Sequence, residues 1–280
     1  METLKLNNGL ICPIVGIGTF LLTPKDAQNS VREALQSGYR LIDTANAYVN
    51  ERAVGKGIKE SGIDRDEIFL STKLWPSEYE NTNSVDEALE RLGVAYVDLL
   101  YIHQPAGNWL EGYKLLEKAY REGKAKSIGI SNFEGKYLTE LESKWEVVPQ
   151  FIQVEAHPYF TQEDLRNTLN KYGIKLMSWY PLGHGDKSLI NEPLFTELGL
   201  KYSKTNAQII LKWHVQMGFV VIPGSKNIDH IKENIDLFDF TLNDSEMERI
   251  KHLNNGKRYY HRNDAQLRQF AEWQPEYEEN

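Results

Sequence analysis

The chain has 280 residues, of which 41% are hydrophobic and 26% charged, and its formal net charge is −8. This composition is typical of a folded globular protein and argues against a disordered or collagen-like chain. The net negative charge argues against nucleic-acid and membrane partners, and the single cysteine argues against an internal disulfide. The sequence shows no signal peptide, which argues against secretion, and no apolar run of about 18 residues, which argues against a membrane-spanning segment. We therefore expect a soluble, cytoplasmic protein.

Short apolar runs rich in Val, Ile, Leu and Tyr recur along the chain at even spacing. They cover residues 15–18, 39–43, 68–73, 97–103, 126–131, 150–155, 174–180 and 219–222. Because most of these runs are continuously apolar rather than alternating, they predict strands that are buried on both faces.

The segments between these runs carry helix signals. Thr23, Pro24 and Asp26 form a cap, a proline at the first helical position and an early acid, and they predict a helix that ends at Gly38. Comparable patterns predict helices over residues 82–92, 161–173 and 205–216.

Eight alternating strand–helix units predict one (β/α)8 barrel domain, a TIM barrel, over residues 15–256. An open doubly wound sheet is disfavoured by the number of units and by the absence of a Gly-x-Gly-x-x-Gly fingerprint. Residues 1–14, with a turn at Asn8-Gly9, predict a β-hairpin plug. Residues 257–280 form an aromatic tail that we place over the pocket, with docking elsewhere on the surface as the alternative.

Four polar residues follow the ends of neighbouring predicted strands. Asp43, Lys73 and His103 end three strands, and Tyr48 follows the first of them by five residues. Since chemistry in such barrels lies at the C-terminal strand ends, we expect these side chains to converge. A nearby ammonium group is expected to lower the pKa of the phenol, and the set then serves to protonate an oxygen that gains negative charge.

Each of these residues also has an ordinary structural interpretation. A strand-end Asp or Lys is commonly salt-bridged, a loop Tyr is commonly half-buried, and a lone His is commonly a core residue. The combination, rather than any single member, indicates a proton-transfer site.

The motifs around these residues resemble the aldo-keto reductase family. In chain order they are GIGTF at 16–20, LIDTA at 41–45 with Tyr48 and Asn50-Glu51, STKLW at 71–75, DLLYIHQP at 98–105, SIGISNF at 127–133, QVEAHPY at 153–159 and PLG at 181–183. The match extends from about residue 4 to about residue 255 and is specific as a set. The resemblance implies an NADP-dependent oxidoreductase that reduces aldehydes or ketones with NADPH.

The same resemblance implies roles for individual residues. Tyr48 is the general acid, Lys73 and Asp43 tune it, and His103 orients the carbonyl. Ser131, Asn132 and Gln153 contact the nicotinamide carboxamide, and Trp179 stacks on the ring. Further cofactor contacts are expected at Gly18, Thr19, Phe20, Asp43, Leu182, Gly183 and Ile222. Tyr180 departs from the family, where this position is often small.

The last predicted strand leads through residues 223–227 into a predicted helix, a favourable place for a phosphate group. The resemblance assigns this segment to the adenosine phosphate, with contacts from Ser225, Lys226, His230, Glu233 and Asn234. The family often has Lys where Gly224 stands and Arg where His230 stands. We therefore expect NADPH use with relaxed selectivity, so that NADH is also accepted.

The substrate pocket is expected to be apolar and aromatic, suited to an aldehyde or ketone of modest size. Its candidate lining residues are Phe20, Tyr48, Trp75, His103, Trp109 and Trp273. No metal is expected, because the histidines show no ligand spacing, and we expect a monomer. The alternatives are a non-catalytic nicotinamide-binding relative and a glycosidase built on Asp98 and Glu155.

Overall fold

A computed structural model describes residues 2–277 and contains a parallel eight-stranded barrel. The barrel strands are β3 (Ile17–Gly18), β4 (Leu41–Asp43), β5 (Phe69–Leu74), β6 (Leu99–Ile102), β7 (Ile128–Ser131), β8 (Phe151–Glu155), β9 (Lys175–Trp179) and β10 (Val220–Val221). Each lies within or overlaps a predicted run, and the predicted (β/α)8 barrel is confirmed.

The strands pair in chain order from β3 to β10, and every pair is parallel. The two ends of the sheet meet where the Gly16 N–H donates to the Val221 carbonyl at 2.8 Å and the Val221 N–H donates to the Ile14 carbonyl at 3.0 Å. This closure brings all the C-terminal strand ends to one rim, as the convergence of the candidate site requires.

Helices cover the outside of the barrel. Within residues 2–277 they are α1 (Pro24–Gln36), α2 (Glu51–Ser61), α3 (Ser84–Leu92), α4 (Trp109–Arg121), α5 (Lys136–Glu142), α6 (Glu163–Asn170), α7 (Lys187–Ile190), α8 (Pro193–Tyr202), α9 (Asn206–Gln216), α10 (Ile228–Ile235), α11 (Asp244–Lys251) and α12 (Asp264–Glu272).

Two predicted helix starts differ from the structure. The helix expected from residue 82 begins at Ser84 with Asn83 as its cap residue. The helix expected from residue 161 begins at Glu163. Gln162 adopts a left-handed conformation with φ of 55°, so residues 161 and 162 cannot belong to the helix. By contrast, the helix predicted over residues 205–216 begins at Asn206, and Thr205 caps it in a reciprocal capping box with Gln208.

The N-terminal end of the barrel is covered by the predicted hairpin, β1 (Thr3–Lys5) paired antiparallel with β2 (Ile11–Pro13). Leu6 and Cys12 are buried there against apolar side chains of the barrel interior, such as Leu99. This end is therefore filled by apolar packing, and the polar candidate residues lie at the opposite end.

The C-terminal tail contains a helix that was not predicted, α12. Asn263 and Gln266 form a capping box at its start. The helix lies against the short 3-10 turn Pro76–Glu78 that follows β5, and Phe270 and Trp273 pack on Trp75 at centroid distances of 5.2 and 5.3 Å. The tail therefore contributes to the rim of the barrel where the candidate site lies.

Candidate active site

A cavity of about 820 Å³ opens at the C-terminal ends of the barrel strands. Its walls are mostly apolar and aromatic, and amide and hydroxyl groups lie among them. The residues expected from the sequence that line it are Gly18, Phe20, Asp43, Tyr48, Trp75, His103, Ser131, Asn132, Gln153, Trp179, Leu182, Ile222 and Trp273, and Gly224 lines it as well.

Tyr48 lies in a one-turn 3-10 helix, Asn46–Tyr48, that follows β4. The next residue, Val49, has φ of 55°, which is an uncommon conformation for a β-branched residue. This sharp turn directs the Tyr48 hydroxyl back to the strand ends, where it lies 3.2 Å from Lys73 Nζ.

Lys73 is fully buried on β5, and its ammonium group makes three hydrogen bonds. It donates to Asp43 Oδ2 at 2.6 Å, to the Thr44 carbonyl at 2.8 Å and to the Tyr48 hydroxyl at 3.2 Å. The Asp43 carboxylate is held in turn by Ser71 Oγ at 2.7 Å and Gln153 Nε2 at 3.0 Å. The Lys73 ammonium group is therefore fixed beside the phenol by the end of β4 and the turn after it, and Asp43 is in turn held by groups on β5 and β8.

The prediction that the pKa of Tyr48 is lowered is wrong for this structure. Burial raises the pKa of Tyr48 well above its ordinary value, and the negative charges of Asp43 and of an ionised Tyr180 act in the same direction. The Lys73 hydrogen bond to the phenolic oxygen favours the phenolate, but Asp43, 2.6 Å from Lys73 Nζ, offsets part of the ammonium charge and burial outweighs the remainder. Tyr48 therefore holds its proton at neutral pH, which is the state that a proton donor needs.

His103 follows β6 and packs edge-on against Tyr48 and Trp75, with ring centroids 5.6 and 5.0 Å away. Burial, and secondarily the positive charge of Lys73, hold the pKa of His103 well below its usual range. The imidazole is therefore neutral at pH 7. Among the residues that the structure describes, none is hydrogen-bonded to its Nδ1 atom.

The residues assigned to the nicotinamide carboxamide lie together on one wall. Asn132, in a left-handed conformation with φ of 65°, donates to Ser131 Oγ at 3.2 Å and accepts from Trp179 Nε1 at 3.2 Å. Gln153 is bonded to Asp43 at the base of the same wall. The flat indole ring of Trp179 suits the aromatic ring of a nicotinamide, and the hydroxyl and amide groups around it suit the carboxamide.

The segment assigned to the adenosine phosphate is more exposed. Gly224 reaches the cavity wall, whereas Ser225, Lys226 and His230 lie beyond it. Lys226 is largely exposed, and its nearest ion-pair partner within residues 2–277 is Asp26 at 3.9 Å. On α10, Glu233 accepts from Thr205 Oγ1 at 2.5 Å and Asn234 is buried.

Steric crowding explains why position 224 is a glycine. A Cβ atom there would lie 2.9 Å from the Gly18 carbonyl oxygen, closer than real Cβ contacts allow. The family's lysine at this position would therefore require this loop to move away from β3.

Three further predicted residues, besides those of the adenosine phosphate segment, lie outside the cavity wall. Thr19 is buried and bonds to the Thr44 hydroxyl at 2.8 Å, and Gly183 forms a turn with φ of 64°. Trp109 packs edge-on against Phe133 at 5.4 Å, behind the wall.

Several residues that line the cavity were not expected from the sequence. They are Leu21, Ala47, Gln104, Tyr180, Pro181, His184, Gly185, Ile190, Pro223, Tyr260, Gln269 and Phe270. Among them, Tyr180 has φ of 52° and stacks on His184 at 4.2 Å, so the departure from the small family residue adds an aromatic ring to the wall. The aromatic content of the tail was the available signal for Tyr260 and Phe270.

The start of the tail is attached to the end of β8 by a buried carboxylate. Glu155 accepts hydrogen bonds from the backbone N–H groups of Tyr259 at 2.7 Å and Tyr260 at 3.0 Å and lies 2.9 Å from His157 Nε2. Burial acts to raise the pKa of Glu155, but these hydrogen bonds lower it on balance. The ionised carboxylate therefore holds the tail against the barrel.

The glycosidase alternative finds no support in this geometry. Asp98 accepts from the Leu70 N–H at 3.0 Å and pairs with Arg65 at 2.8 Å, and neither Asp98 nor Glu155 lines the cavity.

Within residues 2–277, no group of three or more His, Cys, Asp or Glu side chains is arranged to hold a metal ion. None of the helices formed by those residues is both long and apolar enough to cross a membrane.

Comparison with known proteins agrees with this description. The sequence pattern of the Aldo/keto reductase family matches residues 15–255. The chain is 42% identical to a glyoxal reductase of Bacillus subtilis, covering 92% of this chain and 94% of that protein. It is 39% identical to a morphine 6-dehydrogenase of Pseudomonas putida, covering 91% and 92%. The crystal structure of a Bombyx mori aldo-keto reductase in complex with NADP superposes with a TM-score of 0.86 at 34% identity, covering 92% and 94%.

The barrel and its buried acid–base residues beside an apolar cavity define an oxidoreductase that acts on small carbonyl compounds. The chain belongs to the aldo-keto reductase family. The non-catalytic alternative is not favoured. The cavity, which extends from Tyr48 past Trp179 to Gly224, fits a nicotinamide cofactor.

Proposed function

We propose that this protein is an NADPH-dependent carbonyl reductase in which Tyr48 is the general acid. The observation that carries the proposal is the position of the Tyr48 hydroxyl, on the cavity wall and 3.2 Å from a Lys73 ammonium that is itself fixed by Asp43 at 2.6 Å. A positioned general acid of this kind contributes about 100- to 10,000-fold to a rate.

The roles of the side chains follow from their protonation states. The bound nicotinamide supplies the hydride for the carbonyl carbon. Tyr48, protonated at neutral pH, donates its proton to the carbonyl oxygen as that oxygen gains negative charge. Lys73 already donates a hydrogen bond to the same phenolic oxygen, so it stabilises the phenolate that remains. Neutral His103 offers a ring N–H that orients the carbonyl oxygen toward Tyr48.

The most direct test replaces Tyr48 by Phe. We expect carbonyl reduction, followed as loss of NADPH absorbance with an aromatic aldehyde, to fall at least about 100-fold, since the general acid is lost. Binding of NADPH, followed by quenching of protein fluorescence, should persist because the substitution removes one oxygen atom from the wall. Full retained activity would exclude Tyr48 as the proton donor.

The proposal includes NADPH use with NADH also accepted. Support comes from the absence of a lysine at Gly224 and of an arginine at His230, which leaves Lys226 and Ser225 as the nearby groups for a ribose 2′-phosphate. The ratio of kcat/KM for the two cofactors tests this point. A ratio above about 1,000 in favour of NADPH, or roughly 4 kcal/mol, would show that the two departures have no effect.

The proposal also includes a monomeric, cytoplasmic protein. Size-exclusion chromatography with light scattering tests the first point, and cell fractionation tests the second. A stable dimer or a membrane-bound fraction would contradict the corresponding part.

A further inference from the structure

The described part of the tail ends at Tyr277, whose hydroxyl group lies against the turn that carries Tyr48. Tyr277 Oη accepts a hydrogen bond from Asn46 Nδ2 at 3.1 Å and donates one to Glu78 Oε1 at 2.9 Å. Asn46 is fully buried and is the first residue of the 3-10 turn Asn46–Tyr48. The tail is therefore bonded directly to the turn of the proposed proton donor.

The Asn46 side chain joins the tail to a second part of the site. Its Oδ1 atom accepts from the Trp75 backbone N–H at 3.0 Å, and Trp75 directly follows the strand that carries Lys73. Because a backbone N–H can only donate, this contact fixes the orientation of the amide and leaves Nδ2 to donate to Tyr277. One amide therefore connects the Tyr48 turn, the end of the Lys73 strand and the tail.

The ring of Tyr277 provides an independent connection to the same strand. The Arg91 guanidinium lies over this ring at 4.0 Å and pairs through Nε with Glu51 Oε2 at 2.7 Å. The other oxygen of Glu51 accepts from Thr72 Oγ1 at 2.5 Å, and Thr72 directly precedes Lys73. The Tyr277 hydroxyl thus contacts Asn46 in the Tyr48 turn. The Tyr277 ring contacts Arg91, which is connected through Glu51 to Thr72, the residue before Lys73.

The Tyr48 turn needs such support because its backbone is strained. Val49, with φ of 55°, occupies a conformation that β-branched residues rarely adopt, and such residues persist where surrounding contacts hold them. On one side, Asn50 Nδ2 donates to the carbonyls of Thr19 at 3.0 Å and Leu22 at 3.1 Å. On the other side, the support comes from Asn46 and through it from Tyr277.

We propose that Tyr277 is a positioning residue that holds the Tyr48 turn in register with Lys73, so that docking of the tail and alignment of the proton donor are coupled. This inference rests on the proposed role of Tyr48. It assigns the tail a second role, because its aromatic residues line the cavity while its last described residue supports the acid.

The substitution Tyr277→Phe tests the inference, since it removes the hydroxyl and keeps the ring beneath Arg91. Tyr202→Phe is the matched control. The Tyr202 hydroxyl likewise accepts from a nitrogen, Lys201 Nζ at 3.2 Å, and donates to a carboxylate, Glu246 Oε2 at 2.7 Å, on the outer surface of the barrel. Both variants are compared with the wild type in single-turnover reduction of an aromatic aldehyde at saturating NADPH, in H2O and in D2O.

We expect Tyr277→Phe to slow the single turnover by about tenfold, because small misplacements of a reacting group cost about this much or more. The solvent isotope effect should rise as proton transfer becomes more limiting, while the NADPH dissociation constant and the melting temperature match those of Tyr202→Phe. In an Asn46→Ala background, Tyr277→Phe should add little, because both residues act through one contact.

A Tyr277→Phe rate equal to that of the wild type, or an equal loss in Tyr202→Phe, would overturn the inference. If the wild type itself reduces no carbonyl compound, the proposed function fails, and hydrogen exchange then decides the positioning role alone. The Tyr48 and Val49 backbone N–H groups bond within the turn, to Ala45 at 3.0 Å and Asn46 at 3.1 Å. Faster exchange of these two amides in Tyr277→Phe than in Tyr202→Phe supports the inference, and equal exchange overturns it.

Discussion

The two ends of the cavity differ in how firmly their side chains are held. At the proton-donor end, Lys73 and Asp43 are buried and bonded to several strands, and Tyr48 lies between them and the cavity. At the end near α10, Lys226 and His230 are exposed, and the nearest ion-pair partner of Lys226 in the described part of the chain is Asp26 at 3.9 Å. The side chains at the first end have little freedom to change, whereas Lys226 and His230 at the second can be substituted at small cost to the fold.

The energetic scales of the two ends differ accordingly. Removing one member of a buried ion pair leaves an unpaired charge and costs about 3–5 kcal/mol. Changing an exposed charge typically alters stability by less than about 1 kcal/mol. Of the departures of this chain from the family pattern, Gly224 and His230 lie at the end near α10, whereas Tyr180 lies on the cavity wall beside Trp179.

The largest effect is expected from Lys73→Met. Loss of the ammonium group leaves the buried Asp43 carboxylate without a cation, so the variant should be destabilised by about 3–5 kcal/mol. Adding Asp43→Asn removes that charge and should restore stability in urea unfolding. Carbonyl reduction should stay about 100-fold low in the double variant, because the phenolate has lost its donor. A double variant with near wild-type activity would show that Lys73 serves stability alone.

A smaller effect is expected from Glu155→Gln. The neutral amide accepts one tail N–H but not both, and hydrogen bonds to a charged group contribute about 1.5–3 kcal/mol. The loosened tail should raise the aldehyde KM by about tenfold, since 1.4 kcal/mol corresponds to that factor. Glu197→Gln, which breaks an exposed pair with Arg249, is the control. An unchanged KM would exclude this attachment as a determinant of the pocket.

The same carboxylate predicts an acid dependence. Since the pKa of Glu155 is lowered on balance in the fold, its contribution is fully present above the ordinary value of about 4.3 and is lost as the pH falls through the lowered value. His157, Tyr180 and Arg258 Nε at 3.9 Å are the neighbouring titratable or charged groups. Exchange protection of the Tyr259 and Tyr260 amides should persist at about pH 5, and loss of protection already there would contradict this assignment.

The smallest effect is expected from His230→Arg at the exposed end. An added exposed cation contributes about 0.2–1 kcal/mol, so the NADPH-to-NADH ratio of kcat/KM should rise at most about fivefold. The value for NADH should not change, because NADH lacks the 2′-phosphate. His252→Arg on the outer surface controls for net charge. This site is preferable to Gly224→Lys, whose Cβ would meet the Gly18 carbonyl. An equal rise in His252→Arg would remove His230 from cofactor selection.

Much of this molecule could be predicted from sequence because local patterns determine it. Continuously apolar runs predicted the barrel strands, and the order of strand ends predicted that Asp43, Lys73 and His103 converge. The tail helix α12 was missed although its capping box, Asn263 with Gln266, is visible in the sequence. The aromatic composition of the tail was interpreted as a contact with the pocket, and no helix was predicted there.

Other features depend on distances between remote residues and could not be predicted. The pKa direction of Tyr48 depends first on burial of its hydroxyl and then on the negative charge of Asp43, which lies 2.6 Å from Lys73 Nζ. The contact between Asn46 and Tyr277 joins residues 231 positions apart. Neither contact can be predicted from the local sequence, because each joins residues that are distant along the chain.

The central claim is that Tyr48 holds its proton at neutral pH beside the ion pair of Lys73 and Asp43. Titration of the cofactor-free wild type and of Tyr48→Phe, followed by the ultraviolet absorbance of phenolate, tests it most directly. We predict that the difference between the two proteins shows no phenolate up to the ordinary tyrosine value of about pH 10. A phenolate signal that appears near neutral pH in the wild type and is absent from Tyr48→Phe would contradict the account.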